Sequence, residues 1–356
     1  MKKILVEGMS HNLGGMESFI HLLFYVMHSS WQMDFLIYDE TIPFQKEFQD
    51  AGCKIHWITS RSKGIKKSQK EIDSVFDNEN YDVFWFNKTT LSNIYSLKSA
   101  RKHGVKKVVC HGHTSKNMGS PFTACMHFIN RTITSKYVDY KVACSKEAAK
   151  YFFGNSNDSI IINNAVDLKR YEPNPEKIIK MKKKLDLEDT FVIGHIGRFS
   201  PEKNHTFLID VFEEIYKSEG SHLLLCGNGD LMKDVKNKVE LKKMEKNVSF
   251  LGLRNDIPDL LQAMDVLVMP SLFEGLPFSL VEAQAAGVPC IVSNTVSKDS
   301  KLTDIIQFLS LDSSSKEWAD CILKYRNYKK VSKSNQLIDK GFSLDSFIDQ
   351  IKNIVE

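Results

Sequence analysis

The stretch PSLFEGLPFSLVEA at residues 270–283 contains the pattern from which this chain is built. It follows the apolar run Val266–Met269, and its Gly-Leu-Pro turn leads into a helical pattern that begins near Phe278. A short apolar run, a tight turn and a helix make one β-α unit, and such units assemble into parallel sheets. The stretch therefore predicts an α/β fold.

Short apolar runs alternate with longer amphipathic or polar stretches along nearly the whole chain. They predict strands at 4–6, 35–38, 54–58, 83–86, 108–110, 141–143 and 160–162, and then at 191–196, 222–226, 248–251, 266–269 and 290–292. Because the runs form two series, we expect two doubly wound, Rossmann-like sheets. Ligands of such sheets bind outside the carboxyl ends of the strands, so functional residues are expected in the strand-to-helix loops.

The length of 356 residues suits two domains, since one domain takes about 150 residues. We predict a first domain at 1–165, a linker at 166–190, a second domain at 191–335, and a helical segment at 336–356 that packs back on the first domain. The linker is placed there because that stretch contains Pro173, Pro175 and a lysine-rich run but no strand pattern.

Composition excludes several classes of protein. Apolar residues make up 42% and charged residues 26%, which is typical of a globular protein. The net charge of +4 is too small to indicate a nucleic-acid binder, and seven dispersed cysteines without a C-x-x-C pair indicate neither a disulfide framework nor a zinc site. The amino terminus lacks the apolar run of a signal peptide and no run approaches a membrane span, so a cytoplasmic protein is expected.

The positive charge is concentrated in one part of the chain. Residues 61–150 carry 17 basic and 7 acidic side chains. A run of charge is usually a solvated face. The sharper hypothesis is that the first domain rests peripherally on an anionic membrane, the inner face of the cell membrane, because each basic side chain near such a surface contributes about 1 kcal/mol.

Two loops in the first half carry candidate functional residues. Gly14 and Gly15 follow the first strand and open a helical pattern, where free amides would bind a phosphate or sugar oxygen, although a plain tight turn explains them about as well. His111 and His113 follow the strand at 108–110. We expect the two histidines to point to opposite faces, which argues against a shared metal ion, with one of them facing the ligand. A structural histidine pair is the alternative.

Two loops in the second half are richer in charge. Arg198 follows the turn glycine Gly197, and Lys203 lies at the start of the next helical pattern. Two cations beside a helix N-terminus would neutralise a diphosphate without metal, unless both are solvated surface charges. Glu274 and Glu282, with seven residues between them, form a carboxylate pair that would hold a sugar and the hydroxyls of a ribose. An exposed glutamate is usually only solvated, but apolar residues surround both.

This ordered set of segments resembles the retaining GT-B-fold glycosyltransferases of family four, the group 1 type of bacterial capsule and exopolysaccharide synthesis. The resemblance extends from Gly14-Gly15 to the region of Trp318, and the glutamate pair within EGLPFSLVEA is its most specific element. Segments 197–203 and 248–254, and the His111-Gly-His113 segment, also fit. The resemblance implies two Rossmann-like domains that face each other across a cleft, with the acceptor on the first and the nucleotide-sugar donor on the second.

The resemblance also implies roles for individual residues. Arg198 and Lys203 would bind the donor diphosphate, Glu282 the ribose hydroxyls, and Glu274 the transferring sugar, while His113 would lie near the reacting carbon. Further donor contacts are implied for Gly14, Gly15, Leu253, Arg254, Gly275, Leu276, Pro277 and Phe278. One departure is Asn163-Asn164-Ala165-Val166-Asp167, where related chains have Asn-Gly-Val-Asp.

A retaining hexosyltransferase is therefore expected, with UDP as the favoured donor nucleotide and a glycan or polyprenyl-diphosphate-linked acceptor. No metal or other cofactor is expected, since the chain contains no Asp-x-Asp triad. The alternatives are a non-hydrolysing nucleotide-sugar epimerase and a non-catalytic nucleotide-sugar or glycan-binding protein. A dehydrogenase is disfavoured because neither glycine loop has the dinucleotide-binding spacing.

Overall fold

The structure is a computed structural model that describes residues 1–11, 14–117, 119–217 and 220–356. The chain forms two compact units. The first contains Met1–Ala165 and Asp345–Glu356, and the second contains Val166–Leu344. No helix in these ranges combines the length and the apolar character needed to cross a bilayer.

The described part of the first unit contains a seven-stranded parallel sheet in the order β3-β2-β1-β4-β5-β6-β7. Its strands are β1 Lys3–Glu7, β2 Gln32–Ile37, β3 Ile55–Trp57, β4 Val83–Lys88, β5 Lys107–Gly112, β6 Tyr140–Ala143 and β7 Ile160–Ile161. The connecting helices are α1 Gly15–Met27, α2 Gln45–Asp50, α3 Ile65–Asn78, α4 Tyr95–Lys102, α5 Pro121–Thr134 and α6 Lys146–Phe153. The order reverses at β1 and β4, as in doubly wound folds.

The second unit, as far as it is described, has a six-stranded parallel sheet in the order β10-β9-β8-β11-β12-β13. Its strands are β8 Phe191–Ile196, β9 Ser221–Cys226, β10 Val248–Gly252, β11 Val266–Met269, β12 Cys290–Ser293 and β13 Ile306–Leu309. Its helices are α7 Leu168–Tyr171, α8 Pro175–Lys184, α9 His205–Tyr216, α10 Met232–Leu241, α11 Ile257–Ala263, α12 Phe278–Ala285, α13 Ser315–Leu323 and α14 Ser334–Asp339, with 3-10 turns at Pro201–Lys203, Glu245–Asn247 and Lys298–Ser300. The predicted α/β class with two doubly wound sheets is confirmed.

Each sheet is covered by a core on both faces. In β4, for example, Val83 and Trp85 lie in one core while Phe84 and Phe86 lie in the other. Side chains of a strand alternate between its faces, so a strand covered on both sides is apolar at every position. This is why β1, β4, β8 and β11 are recognisable as continuous apolar runs.

The last helix, α15 Leu344–Val355, covers one face of the first sheet. Its side chains Phe347, Ile351 and Ile354 are fully buried in the core of that unit. Their spacing of four and three residues places them on one side of the helix. The carbonyl of Ile354 also accepts a hydrogen bond from Nζ of Lys107, which begins β5.

The structure differs from the sequence analysis at the expected linker. Residues 166–190 lie inside the second unit, because Val166, Tyr171, Met181 and Leu187 are buried in its core. Residues 336–344 also belong to that unit, where Leu337 and Phe342 are buried, so the part that joins the first unit begins at Asp345. The lysine-rich run lies in α8, and Met181 is the one buried residue of this helix.

Candidate functional site

The loop after β11 brings two predicted site residues together. Nζ of Lys203 lies 2.5 Å from Oε1 of Glu274, and both side chains are only 15% exposed. Backbone hydrogen bonds fix the loop, from Leu272 N to the Glu202 carbonyl at 2.7 Å and from Ser297 N to the Glu274 carbonyl at 3.0 Å. The sequence analysis assigned the two side chains to different parts of a ligand and did not foresee this ion pair.

The turn that carries Arg198 is held by a second glycine loop. Gly197 N donates to the Cys226 carbonyl at 2.9 Å, and Gly227 lies so close that a Cβ on it would be 2.0 Å from the Gly197 carbonyl oxygen. Gly227 also has φ +142°, a backbone conformation that residues with a Cβ rarely adopt. Only glycine therefore fits at position 227, and the exposed side chain of Arg198 projects from a turn with a fixed backbone.

Lys203 ends a 3-10 turn at Pro201–Lys203, directly before α9. Asn204 adopts a left-handed conformation with φ 55°, and α9 begins at His205. The sequence analysis placed Lys203 at the start of the helix, whereas in the structure it lies just before the helix N-terminus. A cation here adds to the positive end of the helix, which favours a bound anion.

Two histidines that the sequence analysis missed lie beneath this turn. His195 is fully buried and its Nδ1 lies 2.8 Å from the Val268 carbonyl oxygen, while the ring of His205 stacks on Phe199 with centroids 4.1 Å apart. Burial, reinforced by the charge of Lys203, lowers the pKa of both, that of His205 to about 4. Both imidazoles are therefore neutral near pH 7 and add no charge to the site.

Glu282 lies on α12 and is held by a residue from α7. The hydroxyl of Tyr171 donates a hydrogen bond to Oε1 of Glu282 across 2.5 Å. Burial raises the pKa of the Glu282 carboxyl to about 7, although the Tyr171 hydrogen bond and the charge of Arg170 act in the opposite direction. A carboxylate with that environment is well suited to accept hydrogen bonds from ligand hydroxyls, because those bonds would replace lost solvation.

The remaining predicted donor contacts of the second unit fall in two loops. Leu253 is exposed after β10, and the guanidinium of Arg254 is paired with Asp256 through two hydrogen bonds of 2.8 and 2.5 Å. In the other loop Gly275 is exposed, and Pro277 is the residue before α12. Leu276 and Phe278 pack against the core, so this loop presents backbone and not side chains at the start of α12.

In the first unit, Gly14 and Gly15 lie where α1 begins. Glu17, in the first turn, is 5% exposed and accepts a hydrogen bond from Oγ of Ser10 at 2.6 Å. A Cβ on Gly14 would lie 3.0 Å from its Oε2. The carboxylate of Glu17 therefore lies close to the glycine loop, where the sequence analysis expected a ligand oxygen.

His113 follows β5 and is bound by Asn87, which lies on β4. Nδ2 of Asn87 donates to the Glu7 carbonyl at 2.9 Å, so its Oδ1 accepts from Nε2 of His113 at 3.0 Å. Nδ1 of His113 is then the acceptor nitrogen. Burial lowers the pKa of His113 to about 3, so the ring is neutral and does not act as a charged group.

The predicted orientation of the histidine pair is wrong. The ring centroids of His111 and His113 are 3.9 Å apart, because residues two positions apart on a strand point to the same face. His111 is fully buried, with its ring against Phe19 at 4.3 Å. A structural role, which the sequence analysis gave as the alternative, fits His111. Because the two rings lie on the same face, the orientation of the pair does not argue against a shared metal ion.

An ion pair with a buried carboxylate lies near the backbone of His113. The Glu7 carboxylate is 1% exposed, and its Oε1 lies 2.5 Å from Nζ of Lys88 and accepts from the Tyr38 hydroxyl at 3.2 Å. Burial and the Glu7 charge raise the pKa of Tyr38, which keeps its proton on the phenol. The backbone of Lys88 also binds His113 N at 3.0 Å, so this pair helps to fix the end of β5.

Comparisons with known proteins show what this chain resembles. Residues 176–337 match the model of the family "Glycosyl transferases group 1". The chain is 29% identical over 338 residues to EpsF of Bacillus subtilis (strain 168), named as a candidate glycosyltransferase, with 91% of this chain and 87% of that protein covered. It is 32% identical over 209 residues to the Escherichia coli UDP-Gal:alpha-D-GlcNAc-diphosphoundecaprenol alpha-1,3-galactosyltransferase, covering 54% of this chain and 53% of that protein.

Among solved structures, the fold is similar to that of Anabaena Alr3699/HepE in complex with UDP and glucose. The TM-score is 0.79 at 20% identity, and 99% of each chain is covered. At that identity the likeness concerns the fold, which is the GT-B fold that the sequence analysis predicted from the resemblance.

Proposed function

We propose that this chain, a group 1 glycosyltransferase with the GT-B fold, transfers a hexose from a UDP-hexose to a hydroxyl of a lipid-linked glycan and retains the anomeric configuration. The reaction would be a step of surface-polysaccharide synthesis. The observation that carries the proposal is the Lys203–Glu274 pair beside Arg198 and the N-terminus of α9. The roles of Glu282 and His113, the donor nucleotide and the acceptor are argued separately below.

The chemical need is a diphosphate leaving group stabilised by fixed positive charge. Arg198 offers a planar fork of donors and Lys203 a point charge, and the first amides of α9 add the positive end of the helix dipole. The ion pair with Glu274 holds the Lys203 ammonium in place before the donor binds. Since the position is fixed in advance, little reorganisation is required in the transition state.

Glu274 would then have two functions. One carboxylate oxygen positions Lys203, and the carboxylate as a whole faces the transferring sugar, whose hydroxyls donate to it. We assign Glu274 to positioning and not to covalent catalysis. Retention would follow from attack of the acceptor hydroxyl on the same face from which the diphosphate leaves.

Glu282 would bind the ribose. The Tyr171 hydroxyl donates to Oε1 of Glu282, which leaves Oε2 for a ribose hydroxyl. The exposed Leu253 and the loop at 275–278 would contact the base and the phosphates, respectively. Alr3699/HepE contains UDP, and the Escherichia coli relative is named for UDP-Gal, which supports UDP as the nucleotide.

His113 and the glycine loop lie in the first unit. The neutral ring of His113, with Nδ1 as acceptor, would receive a hydrogen bond from a sugar hydroxyl. Arg198, Lys203 and the helix N-terminus supply the charge that a metal ion provides in other transferases, so we propose that the reaction needs no metal. The Escherichia coli relative acts on a diphosphoundecaprenol-linked sugar by its name, which supports a lipid-linked acceptor here.

A mass-balance assay tests the proposal against its two alternatives. Radiolabelled UDP-hexoses are incubated with the protein and a lipid-linked glycan extract, and the label in lipid, free sugar and nucleotide sugar is counted. Transfer predicts one UDP released for each sugar that enters the lipid fraction, and NMR of the product predicts the donor's anomeric configuration. Isomerised donor would support an epimerase, and binding without turnover would support a non-catalytic protein; either result would reject the proposal.

A further inference from the structure

Helix α5 buries three polar side chains and leaves three large apolar side chains exposed. Its sequence, PFTACMHFINRTIT, buries His127, Asn130 and Thr134, whereas Phe122 is 75%, Phe128 46% and Ile129 53% exposed. Surface helices normally bury their apolar stripe, because burial of apolar area is the main favourable contribution to folding. The exposed stripe therefore requires its own explanation.

Specific hydrogen bonds fix the inward face of α5. Leu91 N donates to Nδ1 of His127 at 3.0 Å, so Nε2 carries the proton and donates to the Tyr151 carbonyl at 3.2 Å. Nδ2 of Asn130 donates to the Leu91 carbonyl at 2.7 Å. These bonds would be lost if the helix rotated to bury its phenylalanines, so the outward orientation of Phe122 and Phe128 belongs to the folded state.

Basic residues predominate in the part of the sequence that contains the exposed stripe. Residues 113–154 carry six basic and two acidic side chains, and α5 itself contains no acidic residue. Lys116 precedes the helix and Lys136 follows it, both exposed, while the guanidinium of Arg131 lies 5.0 Å from the ring centroid of Phe128. Aromatic side chains beside basic ones are typical of helices that lie in the interface of an anionic bilayer.

We propose that the outer face of α5, formed by Phe122, Cys125, Phe128 and Ile129, docks on the surface of an anionic lipid bilayer. The apolar side chains would enter the boundary between headgroups and acyl chains, while Lys116, Arg131 and Lys136 would bind the lipid phosphates. This proposal stands apart from the donor chemistry. It adds the surface at which a lipid-linked acceptor would meet the first unit.

Co-sedimentation of the full chain with vesicles tests the proposal. Vesicles of phosphatidylglycerol and phosphatidylcholine are compared with vesicles of phosphatidylcholine alone, for the wild type and for a variant with Phe122→Ser, Phe128→Ser and Ile129→Ser. We expect the wild type to bind the anionic vesicles and the variant to bind at least about tenfold more weakly, because three apolar side chains no longer enter the lipid. The matched control carries Ile179→Ser and Leu241→Ser, exposed apolar residues of the second unit, and should bind as the wild type does.

Cys125 provides a direct report of insertion. Among the seven cysteines, all of them described, Cys125 alone is exposed. An environment-sensitive fluorophore on Cys125 should shift to shorter wavelength when anionic vesicles are added, and high salt should reverse the shift.

The proposal is overturned if the wild type does not bind the anionic vesicles or if the triple variant binds them as tightly as the control. It is also overturned if the wild type is a dimer that the triple variant converts to a monomer, since a second copy would then cover the face. Binding of UDP-glucose by the triple variant in solution is measured alongside. Because the proposed donor site lies in the other unit, the triple variant should bind UDP-glucose. Failure of donor binding would reject the proposed function. The vesicle result alone decides the docking proposal.

Discussion

Tyr171 and Glu282 are 111 residues apart in the chain, and the hydroxyl of the first donates a hydrogen bond to the carboxylate of the second across 2.5 Å. Tyr171 ends the short helix α7, in the stretch that the sequence analysis expected to be a linker. Its side chain is buried in the core of the second unit. The bond fixes the carboxylate that we assign to the ribose and gives that assignment a measurable consequence.

Donor binding should depend on the protonation of Glu282. Its pKa is raised to about 7 by burial, so the neutral acid prevails below that pH and the accepting carboxylate above it. We therefore predict that the Kd for UDP-glucose rises as the pH falls from 8.5 to 5.5, by calorimetric titration. UDP-glucose is used because its diphosphate does not titrate in this range.

The Tyr171→Phe variant should move this midpoint to higher pH, because the lost hydrogen bond favours the ionised carboxyl in the wild type. In Glu282→Gln the pH dependence should vanish and the affinity should be low throughout. An unchanged midpoint in Tyr171→Phe, with normal affinity in Glu282→Gln, would remove Glu282 from the donor site.

Arg198→Ala and Lys203→Ala should each lower turnover by roughly 2–4 kcal/mol of transition-state stabilisation. The physical reason is the loss of fixed positive charge at the leaving diphosphate. Steady-state rates with saturating donor measure the effect. Lys316→Ala, which removes an exposed lysine elsewhere in the second unit, serves as the control and should turn over normally; two active-site variants that match it would reject the diphosphate assignment.

Glu274 and Lys203 should act as one unit. In a double-mutant cycle with Glu274→Gln and Lys203→Gln, the two effects on turnover should fail to add, with a coupling energy of about 1–3 kcal/mol. The reason is that Glu274 positions the Lys203 ammonium. Either substitution alone removes this interaction, so the other substitution then has a smaller effect on turnover. Additive effects would show that the ion pair does not contribute to catalysis.

Removal of divalent metal should leave the rate unchanged. The charge that stabilises the leaving group is proposed to come from Arg198, Lys203 and the N-terminus of α9, so the assay should run at the same rate in excess EDTA. A loss of activity that Mg²⁺ or Mn²⁺ restores would contradict the proposed metal-independent mechanism.

Gly227→Ala should destabilise the second unit by about 2–4 kcal/mol. The new Cβ would meet the Gly197 carbonyl oxygen at 2.0 Å, and φ at this position is +142°. Urea denaturation followed by circular dichroism measures the change. Gly275→Ala is the matched control, because nothing lies within 4 Å of its Cβ and its φ is ordinary; equal stability of the two variants would contradict the close approach of the two loops.

The sequence predicted most of the fold because strands buried on both faces are apolar throughout. Strand β13, Ile306–Leu309, was not predicted because it includes Gln307 and, within the described residues, pairs with β12 alone. The stretch 166–190 was misassigned because its buried residues, such as Tyr171 and Met181, are widely spaced among lysines. Local patterns do not show such long-range packing.

The sequence suggested individual candidate residues but not how they are arranged, and their roles stay predictions. Glycines and charges after strands marked Arg198, Lys203 and Glu274, since chain position alone places them at the carboxyl edge of the sheet. The partners of these residues could not be found in this way. The Tyr171–Glu282 bond and the Lys203–Glu274 pair join residues 111 and 71 positions apart, and no local pattern marks such pairs.

The central claim is that the second unit binds a UDP-sugar through Arg198, Lys203 and Glu282. Thermal unfolding with UDP-, GDP- and TDP-hexoses tests it most directly, since a ligand at 100 times its Kd stabilises the folded state by about 2.7 kcal/mol. We predict that a UDP-hexose raises the Tm of the wild type most, and that the shift is small in Arg198→Ala and Glu282→Gln. Equal shifts in the wild type and both variants, or no shift with any nucleotide sugar, would contradict the claim.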